Sequence, residues 1–266
     1  MGRHTKVKIE NKKKKKETKK LKIKNIIIII FIIMFGGIAL YSGYKILNYT
    51  KDTVETKDEI EELNEFIKVD DNTGEVKIDF NQLKEKNSDT VGWLRIKDTN
   101  IDYPVVKGKD NDYYLTHNFK KNFNASGWLF ADYKNKINGK DKNIVIYGHS
   151  MKNKTMFGEL SKVLRKEWYS KDDNLNITFI TPDKKATYKV FSIYKIEAED
   201  YYINTEFSTD KDFDTFVKVL KNRSQIKLNV DVNNPSQIMT LSTCYDNGNI
   251  RLAVHAIKVN EEINEL

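Results

Sequence analysis

The sequence predicts a mostly β fold, an all-β barrel or sandwich, that follows one membrane-spanning helix. Beyond Thr90, short apolar and aromatic runs alternate with Gly, Asn and Asp, which is typical of short strands joined by turns. Only two stretches there have helical periodicity, and they do not alternate regularly with the strands, so a parallel doubly wound sheet is disfavoured. Near the N-terminus, one uncharged run is long enough to cross a bilayer.

Residues 1–25 form a basic tail, predicted to be cytoplasmic. Residues 1–24 carry twelve Lys or Arg and two Glu, which leaves 34 basic and 36 acidic residues in the rest of the chain. The formal net charge of +8 therefore comes from the tail alone. No nucleic-acid partner is expected, because the remainder of the chain is not basic. The lysine run 12–16 is most simply a topogenic and lipid-headgroup signal.

Residues 26–44 are predicted to be a transmembrane signal-anchor helix. These 19 residues contain no charged side chain and are about enough to cross the roughly 30 Å hydrocarbon core. The Lys-rich side should stay in the cytoplasm, which places residues 45–266 outside a single-pass cell-membrane protein. A cleaved signal peptide is the alternative. It is disfavoured because its apolar region is usually shorter and ends in an A-x-A-like site, which is not seen here.

Residues 45–80 are predicted to form a stalk and an N-terminal helix. Ile60, Leu63 and Ile67 recur at helical spacing on a highly charged background, which predicts a helix packed by one thin stripe. After the break at Gly74, the segment DFNQLKEKN indicates a second short helix with Asp79 as its N-cap. The remaining residues, 81–266, are long enough for one domain with its own core.

Eight segments of this domain are candidate strands, and two others are candidate helices. The strand segments are VGWLRI, IDYPVV, GWLFADY, KNIVIYG, LNITFI, TYKVFSIYKI, QIMTLSTC and IRLAVHAIKV. One helix is predicted to present Phe157, Leu160, Leu164 and Trp168 on a single face, and the other Phe213, Phe216, Val217 and Leu220.

Cys244 is the single cysteine of the chain, so an internal disulfide is impossible. The dipeptide Asn247-Gly248 favours a two-residue type I′ turn between the last two strands, and that register places Cys244 opposite Arg251. A nearby cation lowers the pKa of a thiol, and a guanidinium can stabilise an oxyanion. The pair therefore suits a nucleophilic site. An inert buried thiol and a plain cross-strand salt-bridge partner are the structural alternatives.

A cysteine nucleophile usually needs a base, and three histidines outside the basic tail are candidates. His149 follows a buried-looking strand, and strand ends are where sites on β scaffolds tend to lie. His117 and His255 are each explained as ordinary packed or surface residues. The same hairpin register puts His255 opposite Thr240, too far from Cys244 for contact. No metal site is predicted, because one Cys and scattered His lack ligand spacing.

Several of these segments together resemble the sortase family. The motif TLSTC at residues 240–244, Arg251 downstream, and YGH at residues 147–149 followed by NKTMFGEL carry the resemblance. The segments VGWLRI, NDYYLTHNF and YYINTEF are similar to class B sortases in particular. The resemblance extends from about Asn81 to Val259.

The resemblance implies a fold and a set of site residues. It implies a closed sortase-type β-barrel with N-terminal helices and an inserted helix before the penultimate strand, at residues 213–220. Cys244 would be the nucleophile, His149 the acid/base and Arg251 the oxyanion-stabilising or substrate-orienting group. Four further residues would line the groove for a sorting peptide: Ser242, Thr243, Tyr202 and Ile203. Tyr202 and Ile203 are also explained as core residues.

The activity that the resemblance implies is that of a cysteine transpeptidase of Gram-positive cell walls, without a cofactor. It would cleave surface proteins at a C-terminal sorting motif of the NPxTN or NPxTG type and transfer them to a peptidoglycan amine. Its expected partners are sorting-signal proteins, a peptidoglycan precursor or cross-bridge amine, and membrane lipid. Two alternatives stay open: a surface cysteine endopeptidase that uses water as the acceptor, and a non-catalytic anchored peptide-binding module.

Overall fold

The computed structural model describes residues 3–69, 76–197, 199–245 and 250–264. The chain divides into two compact units, Met1–Lys51 and Asp52–Leu266. Helix α1 (Arg3–Asn64) accounts for the described part of the first unit. Within the described residues it is the one helix long and apolar enough to cross a membrane. Its isoleucines are mediocre helix formers in water, but a spanning backbone must satisfy its own hydrogen bonds.

The second unit is a closed, mixed β-barrel. The described residues form the strands β1 (Ile67–Val69), β2 (Val76–Ile78), β3 (Thr90–Ile96), β4 (Asp102–Val106), β5 (Phe130–Ala131), β6 (Asn143–Gly148), β7 (Asn176–Ile180), β8 (Lys184–Glu197), β9 (Ile238–Tyr245) and β10 (Ile250–Ile263). Eight of them close the barrel in the order β10-β8-β7-β3-β4-β5-β6-β9, with β9 and β10 antiparallel and β6 and β9 parallel. The prediction of a mostly β barrel is confirmed.

Two predicted helices appear as expected. Helix α2 (Phe80–Lys86) starts after Asp79, whose side chain accepts the backbone N–H of Gln82 at 3.1 Å. Helix α4 (Asp210–Asn222) lies between β8 and β9 and buries Phe213, Val217 and Leu220. It is therefore the inserted helix before the penultimate strand.

The predicted helix through residues 157–168 is wrong in type. The structure has a 3₁₀ helix (Phe157–Leu164), and then the short helix α3 (Lys166–Tyr169) after an extended Arg165. A 3₁₀ helix repeats every three residues, so it buries Phe157, Leu160 and Val163 on one face. Leu164, which a 3.6-residue period had placed on that face, is only partly buried.

Two other segments also differ from prediction. Ile67 does not extend the helical stripe, because α1 ends at Asn64 and Ile67 pairs with Ile78 in the β1–β2 hairpin. Of the segment GWLFADY, only Phe130 and Ala131 form a strand. The backbone N–H of Trp128 donates to the carbonyl of Tyr114 instead of to a neighbouring strand.

The last turns of α1 pack within the same compact unit as the barrel. Thr56, Glu59 and Leu63 are buried there, and the N–H of Ala125 donates to the Asp52 carboxylate at 3.1 Å. That unit begins at Asp52. The division at residue 81 between stalk and catalytic domain stays a prediction from the sequence.

Candidate active site

Three neighbouring strands bring the predicted catalytic residues to one end of the barrel. The backbone of Cys244 pairs with that of Arg251 across β9 and β10, as the hairpin register predicted. Strand β6 runs parallel to β9, and its last residue, Gly148, pairs with Thr243. His149 directly follows Gly148, so it continues the chain beside Cys244. The predicted turn at Asn247-Gly248 lies outside the described residues.

His149 is held by a hydrogen bond from its ring. The ring is half-buried, and its Nε2 lies 2.8 Å from the carbonyl oxygen of Leu115, at the end of the 3₁₀ helix Tyr113–Leu115. A carbonyl oxygen only accepts, so Nε2 carries the proton of this bond. In the neutral ring, Nδ1 is therefore the nitrogen without a proton.

The glycine before His149 is required by packing. A Cβ atom at Gly148 would overlap Leu129 and lie 2.8 Å from Cδ2 of Phe157. The carbonyl of His149 accepts the N–H groups of Met151 at 3.1 Å and Phe157 at 3.0 Å. Close approach of the strand end to Phe157 thus fixes the backbone that carries the histidine.

A cleft of about 440 Å³ lies at this end of the barrel. Its lining includes six of the seven residues predicted for the site, namely His149, Arg251, Ser242, Thr243, Tyr202 and Ile203. Their roles stay predictions. Sequence reasoning missed other lining residues, among them Asn111, Leu115 and Tyr147. The segment NDYYL contains a 3₁₀ helix of only three residues, which is too short to show a hydrophobic period.

The four predicted groove residues differ in how far they are buried. Tyr202, Thr243 and Ser242 are almost fully buried, and the Tyr202 hydroxyl lies 2.9 Å from Oγ of Ser242. Ile203 is half-buried. Tyr202 is therefore a core residue, as one prediction had it, and it also lines the cleft.

His255 is a structural histidine of the core. It is fully buried, and burial lowers its pKa to about 3, so the ring is neutral. Thr240 donates its hydroxyl proton to Asn143 at 2.8 Å, so its oxygen accepts from Nδ1 of His255 at 2.9 Å. Nε2 then accepts from the Tyr194 hydroxyl at 2.9 Å. Both ring nitrogens therefore make hydrogen bonds to buried side chains. The backbone of His255 pairs with Thr240, as predicted.

His117 lies on the loop beyond the cleft. Its ring stacks on Tyr113 with 4.0 Å between the ring centroids, and its Nδ1 lies 2.8 Å from the carbonyl oxygen of Tyr113. His117 is not among the described residues that line the cleft. Of the three candidates for the base, His149 is thus the one that faces a common cavity with Arg251.

Known proteins resemble this chain in sequence and in fold. A family model described as the sortase domain matches residues 94–259. A sortase B of Listeria monocytogenes is 37% identical over 214 residues, which cover 78% of this chain and 85% of that protein. The crystal structure of Bacillus anthracis sortase B in complex with AAEK1 has a TM-score of 0.69 at 34% identity, covering 79% of this chain and 99% of that one. A sortase B complexed with triglycine has a TM-score of 0.64 at 34% identity, covering 68% of this chain and 85% of that one.

Proposed function

The chain belongs to the sortase family, and on that premise we propose that it anchors surface proteins to the cell wall as a class B cysteine transpeptidase. Its substrates are secreted proteins with a C-terminal motif of the NPxTN or NPxTG type, cleaved after the threonine. Its acceptor is an amine of peptidoglycan. Two observations carry the proposal: the backbone of Cys244 pairs with Arg251 and lies next to the strand that leads into His149, and His149 and Arg251 line one cleft.

The first half-reaction forms a thioester. The Cys244 thiolate attacks the carbonyl carbon of the substrate threonine, and the guanidinium of Arg251 stabilises the tetrahedral oxyanion. The C–N bond then breaks while His149 gives its Nδ1 proton to the leaving amine. Because Nε2 is held by the Leu115 carbonyl, the ring exchanges this proton without losing its orientation.

The second half-reaction resolves the thioester. The neutral Nδ1 of His149 takes a proton from the acceptor amine as that amine attacks the thioester carbonyl. The C–S bond breaks, and Cys244 leaves as a thiolate. The relative complexed with triglycine supports an amine-bearing acceptor of the glycine type. Water in the same position gives hydrolysis.

The membrane arrangement is part of the proposal. Helix α1 is long and apolar enough to supply the span, and the Lys-rich tail before it favours a cytoplasmic N-terminus. The barrel then lies outside the cell, where surface proteins and peptidoglycan are available. Protease protection of tagged termini in intact cells tests this topology, and cleavage of an N-terminal tag from outside would contradict it.

The experiment that tests the activity is mass spectrometry of the full chain in detergent micelles. We expect NPxTG or NPxTN peptides to form a Cys244 thioester that becomes an amide product when triglycine is added. Cys244→Ala and His149→Gln should abolish product, whereas His117→Gln, a histidine change outside the cleft, should retain it. Hydrolysis that an amine never diverts would indicate an endopeptidase, and peptide binding without chemistry would indicate a binding module.

A further inference from the structure

A buried carboxylate lies behind the cleft. Asp132 follows β5 directly and is 4% exposed. Its Oδ2 accepts from Nδ2 of Asn111 at 2.9 Å and from the Tyr147 hydroxyl at 2.8 Å, and its Oδ1 accepts the backbone N–H of Lys134 at 2.9 Å. Asn111 and Tyr147 both line the cleft that contains His149. Burying a carboxylate without hydrogen bonds costs free energy, so the folded protein retains these three contacts.

A second carboxylate, that of Asp141, only stabilises the loop between β5 and β6. Asp141 accepts the backbone N–H groups of Lys136 and Ile137 at 2.8 and 2.7 Å, and the side-chain amide of Asn135 at 3.2 Å. These bonds stay within the loop. Asp132 differs, because two of its three donors are side chains of the cleft wall.

The carboxylate determines which hydrogen-bonding groups the cleft presents. Tyr147 donates its hydroxyl proton to Asp132, so the lone pairs of its oxygen remain as acceptors. Asn111 gives one amide proton to Asp132, and its Oδ1 accepts the N–H of Tyr133 at 3.0 Å. The orientation of the amide is thereby fixed, with one N–H of Nδ2 left as a donor.

We propose that Asp132 is a positioning residue for peptide binding: it fixes Asn111 as a donor and Tyr147 as an acceptor for one peptide or carboxamide group of the sorting peptide. A peptide group offers one C=O and one N–H, which matches this pair. This inference rests on the proposed function, since it concerns how the same cleft holds its substrate.

The test compares steady-state kinetics of Asp132→Asn with wild type, as full chains in micelles with an NPxTG or NPxTN peptide. Asparagine keeps the size of aspartate but loses its charge, and its amide nitrogen cannot accept, so it cannot keep the bonds from both side chains together with the bond from the Lys134 N–H. We expect KM to rise about tenfold, the scale of a charge-assisted hydrogen bond, while kcat changes less than about twofold. Alkylation of Cys244 by iodoacetamide should proceed at the wild-type rate.

Two further variants separate positioning from stability. Tyr147→Phe should also raise KM, and the Asp132→Asn/Tyr147→Phe double variant should raise it by less than the product of the single effects, because both act through one contact. Asp141→Asn is the matched control. It loosens the same loop and should lower the unfolding midpoint without raising KM.

Specific results overturn the inference. An unchanged KM in Asp132→Asn, an equal rise in Asp141→Asn, or fully multiplicative effects in the double variant would each do so. If Asp132→Asn does not fold, Tyr147→Phe and Asn111→Ala replace it, and an unchanged KM in both has the same meaning. A wild type that neither binds nor cleaves the peptides overturns the proposed function as well, whereas an active wild type with a normal KM in the variants overturns only this inference.

Discussion

Glu59 should make the protein less stable as the pH rises towards neutrality. Its side chain is 3% exposed between the last turns of α1 and the loop around Lys120. Oε1 accepts the N–H of Lys120 at 2.8 Å, and Oε2 has no hydrogen-bond partner among the described residues. Burial is the largest cause that raises the pKa of Glu59 from 4.5 to about 7, against the opposing charge of Lys120.

The sign and size follow from proton linkage. The folded state keeps the Glu59 proton up to about pH 7, whereas the unfolded state releases it near pH 4.5. Unfolding therefore releases a proton between these values, and the free energy of unfolding falls as the pH rises through this window. The difference in pKa corresponds to about 3 kcal/mol at pH 8. Glu59→Gln stays neutral, and its Oε1 can still accept from Lys120, so the variant avoids this loss.

Urea unfolding of the full chain in micelles, followed by fluorescence of the buried tryptophans, measures the effect at pH 4.5 and pH 8. We expect the stability of Glu59→Gln relative to wild type to increase by about 3 kcal/mol between the two pH values. His255 titrates in the opposite sense, but it is present in both proteins and cancels. Glu62→Gln is the control, since hydrogen bonds from Lys120 and Lys86 lower the pKa of Glu62, and its relative stability should fall with rising pH. An equal difference at both pH values would refute the argument.

Three other changes test individual contacts of the fold. Gly148→Ala should cost about 1–3 kcal/mol and reduce peptide cleavage, because the new methyl group overlaps Leu129; a wild-type unfolding midpoint would contradict this. Asp79→Ala should cost about 1 kcal/mol in urea unfolding through loss of the cap on Gln82, with thioester formation unchanged. His255→Gln should cost about 2–3 kcal/mol by disrupting two buried hydrogen bonds, yet folded protein should form the thioester at the wild-type rate; loss of chemistry in folded protein would show that His255 acts in the site. Since the pKa of His255 is lowered to about 3, its contribution to stability should decline as the pH falls from 6.5 towards 3, and the variant should lack this decline.

Local chemistry explains which parts of the fold were predictable from sequence. The strands of the barrel carry their own apolar runs and turn residues, the helix long enough to cross a membrane contains a continuous uncharged segment, and Asp79 lies three residues before the N–H that it caps. The Cys244–Arg251 pair also follows from local register across a short hairpin. Each of these depends on residues close together in the chain.

Other elements were mispredicted because distant contacts determine them. Trp128 gives its backbone N–H to Tyr114, which shortens the expected strand to Phe130–Ala131. The segment at residues 157–164 adopts three-residue periodicity, and its Phe157 packs against the end of β6. The hydrophobic periodicity of a short segment carries no information about either of these long-range contacts.

The candidate site divides in the same way. The sequence by itself determined that Cys244 and Arg251 pair across one hairpin, because a short turn sets the register of the two strands that it joins. The hairpin register also set His255 opposite Thr240, but only the parallel pairing of β6 with β9 placed His149 beside the pair. Only the folded barrel brought Leu115 to the histidine ring and Asp132 to the cleft wall. These contacts join segments far apart in the chain, where closure of the barrel, and not any local preference, sets the distances.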